Sequence, residues 1–183
     1  TNANLSGAIY RENAIALPGD LEKALRDHSL WIASNGAVGQ PANLKGRNLD
    51  GLNFSSCDVR GVSFEGCSLK QAAFVKAELF LTSFAGADLE GADFSFARAA
   101  GTRFGKANLA QALFIGATIE EAEIIGPDNK PTGRKFPAGF RDANMEGCNM
   151  AGALIDGADM TGTKLSTKTL DLAIVKRVAG LGA

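Results

Sequence analysis

The chain has 183 residues, a net charge of −1 and 45% hydrophobic residues, with glycine at 22 positions, phenylalanine at 11, cysteine at three and histidine at one. That length allows a sizeable core, while the near-neutral charge excludes global attraction to nucleic acid or an anionic membrane, and no apolar run approaches the roughly 20 residues of a membrane span. The odd cysteine count argues against a disulfide framework, and one histidine with three cysteines leaves little material for metal or nucleophile chemistry.

Residues 1–17, "TNANLSGAIYRENAIAL", place bulky side chains at Leu5, Tyr10 and Ile15. They read either as a β flap beside the element that follows or as the end of an upstream repeat. Residues 20–35, "DLEKALRDHSLWIASN", predict an amphipathic helix with Leu21, Ala24, Leu25, His28, Trp31 and Ile32 on one face. Asp20 is expected to cap it and Gly36 to stop it. Such a helix suits the role of lid on whatever follows. His28 has no ligand or triad partner at a recognisable spacing and reads as a packed structural side chain.

From Leu44 a bulky residue recurs every five positions as far as Ile124, and again from Phe140 to Leu165. Neither a helix, with a period of 3.6, nor a strand, with a period of two, repeats in five. Two residues before each centre the side chain is small, except at Arg47 and Leu52, and two residues after it glycine is frequent. Centre and small residue are the apolar positions and so must both point inward. Two inward residues in five imply a short extended piece and a sharp corner, which glycine eases. Four such sides make a coil of twenty residues, and successive coils pair at about 4.8 Å. Side chains twenty apart then stack: Phe54, Phe74, Phe94 and Phe114 in one column, and Phe64, Phe84 and Phe104 in the opposite one. Arg47 and Leu52 suit a first coil that meets the helical lid. Cys57, Cys67 and Cys148 fall at the small inward position and read as core. The Asp and Asn residues before the centres recur with the repeat, so a part in the corners outweighs calcium or acid–base chemistry.

Three departures stand out. Pro127–Pro137, "PDNKPTGRKFP", interrupts the repeat as a corner loop carrying Lys130, Arg134, Lys135 and Phe136; it is either a partner contact or a tolerated insertion. Val75, Phe80, Leu81, Phe96 and Ile115 are apolar just after a centre, where water is expected. They form a corner patch that is either offered to a partner or covered by the chain's own N-terminal part. Residues 168–183 predict a short helix with Leu170, Ile174, Val175 and Val178 as its apolar side, serving as a cap or a dimer contact.

"ADLEGADFSFA", "ANLKGRNLDGLNF" and "ANMEGCNMAGALIDGADM" resemble the pentapeptide repeat proteins, whose pattern is Ala-(Asp/Asn)-(Leu/Phe)-X-X. The resemblance covers residues 42–126 and 138–167. It implies an all-β solenoid, a right-handed quadrilateral β-helix, and carries no catalytic residues. The expected organisation is a flap and capping helix over 1–41, a solenoid over 42–167 and a terminal helix over 168–183. The expected role is a non-enzymatic protein–protein interaction module, bacterial and cytoplasmic, without cofactor, metal, direct nucleic-acid contact or membrane span, and open to homodimerisation. Some members of this family imitate DNA and modulate type II topoisomerases such as gyrase. That alternative demands a strongly acidic rod, and here Lys45, Arg60, Lys70, Lys76, Arg98, Arg103 and Lys106 lie among the acids. A further alternative is one domain of a larger effector or secreted protein.

Overall fold

The computed structural model describes residues 18–126, 128, 130–166 and 168–181, so the alternatives for residues 1–17 lie outside the described residues. The pentads wind into a four-sided coil. Parallel bridges join the residue before each centre to its equivalent twenty residues on: Asn53 to Ala73, Ala73 to Asp93, Asp93 to Leu113.

The hydrogen bonds explain why five residues suffice. In the unit Ala92–Phe96, Asp93 N–H reaches back to Ala72 O (2.9 Å), while Phe94 and Phe96 N–H reach forward to Leu113 O (2.7 Å) and Ile115 O (2.9 Å). Ala92 N–H closes the preceding corner on Leu89 O (3.0 Å). The fifth N–H, on Ser95, donates to the Asp93 carboxylate (2.9 Å). Every donor of the unit is thus engaged. The same Asx turn is made by Asn48, Asn53, Asn108, Asn149 and Asp159, which gives the recurrent Asp and Asn their purpose. Polar side chains at the small inward position are also satisfied, as Thr82 and Thr102 hydroxyls donate to Val59 O and Leu79 O.

Eight phenylalanines form the core, all fully buried. Phe54, Phe74, Phe94 and Phe114 stack with ring centroids 4.9–5.0 Å apart. Phe64, Phe84, Phe104 and Phe140 stack opposite them at 4.9–5.2 Å. The two ladders meet edge to face, as Phe84 and Phe94 do at 5.5 Å and 81°. Each such pair contributes about 0.5–1.5 kcal/mol beyond burial.

Helix α1, Gly19–Ala33, occupies the stretch expected to be helical. Leu21 and Leu25 join the same core as Leu44, Leu49 and Leu52. Asp20 does not cap α1: Pro18 holds the cap position without a side-chain bond, and Asp20 pairs with Arg47 of the first coil. His28 is buried, and its Nδ1 accepts the Ala42 N–H at 3.2 Å. Gly39 must be glycine, since a Cβ there would lie 2.1 Å from Asp27 O.

Two elements differ from expectation. The interruption is a β-hairpin rather than a loop. After β1 (Thr118–Glu120), β2 (Ala122–Ile125) pairs antiparallel with β3 (Pro131–Phe136). Ile124 therefore leaves the centre column, and Phe140 takes that place on Phe104. Arg103 bridges Gly139, 36 residues on rather than 20. After β4 (Asn144–Met145), β5 (Leu154–Asp156) and β6 (Lys164–Leu165), residues 168–181 are not helical. They turn and form β7 (Ile174–Lys176), parallel to β5 in the twenty-residue register. β-branched Ile174 and Val175 favour a strand, and the edge of the preceding coil supplies the partners: Ile174 N–H reaches Ala153 O and Ala179 N–H reaches Ala158 O. Among the cysteines, Cys67 and Cys148 are buried as expected, whereas Cys57 is only partly buried.

Two tests follow from this packing. Phe94→Ala, which empties the space between Phe74 and Phe114, lowers stability by about 3–5 kcal/mol, whereas Asp93→Ala, which takes the acceptor from the Ser95 N–H, costs about 1–2 kcal/mol; urea unfolding measures both. The second concerns acid. Burial lowers the His28 pKa below its usual 6.5. Below that value the unfolded chain takes up a proton that the folded chain refuses, so stability present above pH 6.5 declines as pH falls, by up to about 1.4 kcal/mol per pH unit. Urea unfolding between pH 7 and 5.5 should show this slope, and His28→Gln, which removes the only histidine, should flatten it.

Candidate interaction site

Each corner is a β-turn whose third residue, two after the centre, has positive φ: 66° at Gly91, 63° at Gly101, 63° at Gly116. With the turn closed by a bond such as Ala97 N–H to Phe94 O (3.0 Å), this is the type II signature. Glycine adopts it freely. Other corners accept Ser56, Gln71, Lys76, Lys106, Gln111, Asp142 and Arg177, all polar. Leu81 (φ 57°) and Phe96 (φ 60°) are the apolar residues other than glycine held this way among the described residues.

The phenylalanines make the same point. Eight of eleven stand in the core, and the remaining three, Phe80, Phe96 and Phe136, lie outside the columns. Phe96 is 56% exposed. Its ring lies over Gly116, where an added Cβ would stand 2.7 Å from it. Val75 and Ile115 occupy the same corner column and are half-buried.

Phe80 and Leu81 turn the next corner. With Trp31 and Ile32 of α1, Arg60, and Ile125 of β2, they line a concavity of about 530 Å³. Leu81 also lines a second one of about 400 Å³ with Gly101, Arg103, Ile124, Arg134 and Phe136. The hairpin rests on this corner through Gly101, which is buried: a Cβ there would lie 2.6 Å from Ala122 Cβ and 2.8 Å from Leu81 Cδ2. The structure therefore joins Leu81 to Arg134 and Phe136, which the sequence placed in separate groups. It leaves Val75, Phe96 and Ile115 on the neighbouring corner. Lys130 lies 3.9 Å from Asp128, and Lys135 lies 3.7 Å from Glu121; neither lines either of these two concavities.

Trp31, Arg60, Arg103 and Ile125 were not legible as site residues. One signal was available for Leu81: glycines stand twenty residues before and after it, at Gly61 and Gly101, leaving room beside its side chain. Among the described residues no group of three or more His, Cys, Asp or Glu is placed to hold a metal ion, and no helix is long and apolar enough to cross a membrane.

The family model for pentapeptide repeats matches in eight copies over residues 42–74, 57–95, 92–126 and 138–167. The chain belongs to the pentapeptide repeat family, whose members fold as right-handed quadrilateral β-helices and generally serve as structural or interaction modules. A pentapeptide repeat protein of the Arabidopsis thaliana thylakoid lumen is similar in structure, with 28% identity, a TM-score of 0.50 and coverage of 68% of this chain and 72% of that one. QnrB1, a plasmid-mediated fluoroquinolone resistance protein, aligns at 20% identity and a TM-score of 0.40, covering 76% and 85% of the two chains. Rfr23 of the cyanobacterium Cyanothece 51142 aligns at 21% identity and a TM-score of 0.28, covering 76% and 84%. No curated protein matches in sequence.

The seat of the hairpin can be tested by two glycine substitutions. Gly46, with φ 70° and open space around it, should lose about 1 kcal/mol on change to Ala, from backbone strain alone. Gly101→Ala adds overpacking against Ala122 and Leu81 and should cost about 2–4 kcal/mol. Urea unfolding compares them, and equal losses would show that the hairpin does not rest on Gly101.

Proposed function

We propose that this protein is a non-enzymatic interaction module. It is a rigid rod that offers Val75, Phe80, Leu81, Phe96 and Ile115 at two adjacent corners, and Lys130, Arg134, Lys135 and Phe136 on the hairpin, to a protein partner. The observation that carries this reading is the pair Leu81 and Phe96. Both are bulky apolar side chains at corner positions where glycine or a polar residue is otherwise found. A bulky side chain at positive φ costs of order 1–2 kcal/mol, and the exposed ring of Phe96 recovers little of it by burial. A surface that retains such residues is a surface for contact.

Electrostatics support a protein partner over imitation of DNA. The carboxylates along the rod are interleaved with cations: Lys45 with Glu65 at 2.7 Å, Lys70 with Asp88 at 3.1 Å, Arg98 with Glu78 at 3.3 Å, Arg141 with Asp159 at 2.8 Å. DNA mimicry needs an unbroken acidic field. Self-association is a second form of the same role, since Leu172, Ile174 and Val175 of the last coil are exposed. A cytoplasmic setting accords with three cysteines that form no disulfide.

Phe96→Gly and Leu81→Gly, alone and combined, test the reading. Each relieves corner strain, so urea stability should stay within about 1 kcal/mol of the parent. Light-scattering mass and affinity capture from the source cell should both fall to the background of a partner-free rod. Unchanged mass and capture in the double variant would overturn it.

A further inference from the structure

The two concavities share Leu81 as a common wall: one reaches the C-terminal part of α1, and the hairpin lines both, through Ile125 in the first and through Ile124, Arg134 and Phe136 in the second. We treat the two as one groove with Leu81 at its middle. Its walls are apolar: Trp31, Ile32 and Phe80 at one end, Ile124 and Phe136 at the other. Among the described residues no carboxylate lines either part, but three guanidinium groups do, and they are not equally engaged. Arg60 is held by Asp58 through two bonds, at 2.8 and 2.6 Å. Arg103, on the rod, stands 3.7 Å from Glu65, which already holds Lys45 at 2.7 Å. Arg134, on the hairpin, forms no ion pair among the described residues and lies over the Phe136 ring at 5.8 Å. Two weakly engaged cations thus line the same end of the groove, one from the rod and one from the hairpin.

The geometry points to an extended acidic segment of a protein partner as the occupant. An apolar side chain of the segment sits on Leu81, beside Phe136, and its carboxylates engage Arg103 and Arg134. Its remaining apolar residues run toward Trp31 and Phe80. Two concavities on either side of Leu81 suit an extended chain, which can place a residue in each, rather than a compact molecule. The groove's charge complements carboxylates, and guanidinium groups bind them in a bidentate fashion. Apolar walls supply affinity that a purely anionic ligand would not use. This inference rests on the reading of the rod as an interaction module and adds the chemistry of the partner.

The test uses the whole chain and short synthetic peptides. One peptide alternates glutamate with leucine and phenylalanine; a second replaces each glutamate by glutamine; a third replaces the apolar residues by glycine. Single-stranded oligothymidylate is the fourth probe. Trp31 is the only tryptophan and lines the groove, so its fluorescence reports occupancy. The first peptide should bind, more weakly as salt rises, and the second and third about tenfold more weakly or worse. Arg103→Gln and Arg134→Gln should each weaken binding several-fold and together abolish it, with thermal unfolding unchanged; Lys164→Gln, on an exposed side chain outside the groove, should change nothing. Equal binding of the glutamine peptide, full binding by the double arginine variant, or tighter binding of oligothymidylate would each overturn the inference. Failure of the acidic peptide while capture still depends on Leu81 and Phe96 would remove the groove proposal alone. Loss of both dependences would remove the interaction reading with it.

Discussion

A chain that turns a corner every five residues can persist only if each corner leaves no N–H unanswered. That requirement governs this molecule. Two donors of the unit around Phe94 bind the following coil, one binds the preceding coil, one closes the previous corner, and the last is taken by Asp93. The Asp or Asn before a centre, the left-handed third residue of the turn and the small inward residue are three solutions to one geometric problem. Stacked rings fill the interior that remains. Because each coil is templated by its neighbour, the shape is quasi-one-dimensional and stiff. Its surface side chains hold fixed positions at low entropic cost on binding.

This economy makes exceptions informative. A corner has no need of leucine or phenylalanine; glycine serves better. At Leu81 the departure is coupled to two glycines in the same corner column and to a hairpin that lands on one of them. At Phe96 the ring lies over Gly116 and remains open to water. Both corners give up backbone ease for apolar surface, and both flank the same side of the rod. The hairpin brings a guanidinium to the Leu81 corner, so an apolar surface there becomes one with a charge preference.

The repeat was legible because inward positions tolerate so little: a period of five held from Leu44 to Ile119 admits one architecture. The elements misread were those where two periods coincide. Leu170, Ile174, Val175 and Val178 satisfy a helical face, yet Leu170 and Val175, like Ala173 and Val178, are also five apart. The decision fell to a long-range partner, the open edge of the preceding coil, which local sequence does not display. Ile124 fits the pentad by position, but the chain has already left the coil there. The individual apolar corner residues were legible, since each broke the polar pattern after a centre. Their grouping was not. Whether Leu81 faces Phe96 or Phe136 depends on the direction in which sixteen extra residues leave the rod, and the approach of Trp31 depends on how the lid docks through His28.

The form of the insertion follows from the ladder it interrupts. Phe140 must land on Phe104 for the aromatic column to continue, and Gly139 must meet the backbone that Arg103 offers. An excursion that leaves the coil after Glu120 and rejoins it at Ala138 has to return almost to its point of departure. Antiparallel pairing accomplishes this by setting Ala122 opposite Phe136, so exit and re-entry share one corner and the column loses no register. The same pairing fixes which residues face the rod. Ala122 and Phe136, as a cross-strand pair, lie on one face of the hairpin, above Gly101; Glu123 and Lys135, the next pair, lie on the other. Arg134 lies where the register shifts, beyond the Glu123–Lys135 pair, and lines the same concavity as Phe136. The constraint that preserves the core thereby places a guanidinium and an aromatic ring beside Leu81, and a repair to the repeat becomes one wall of a concavity.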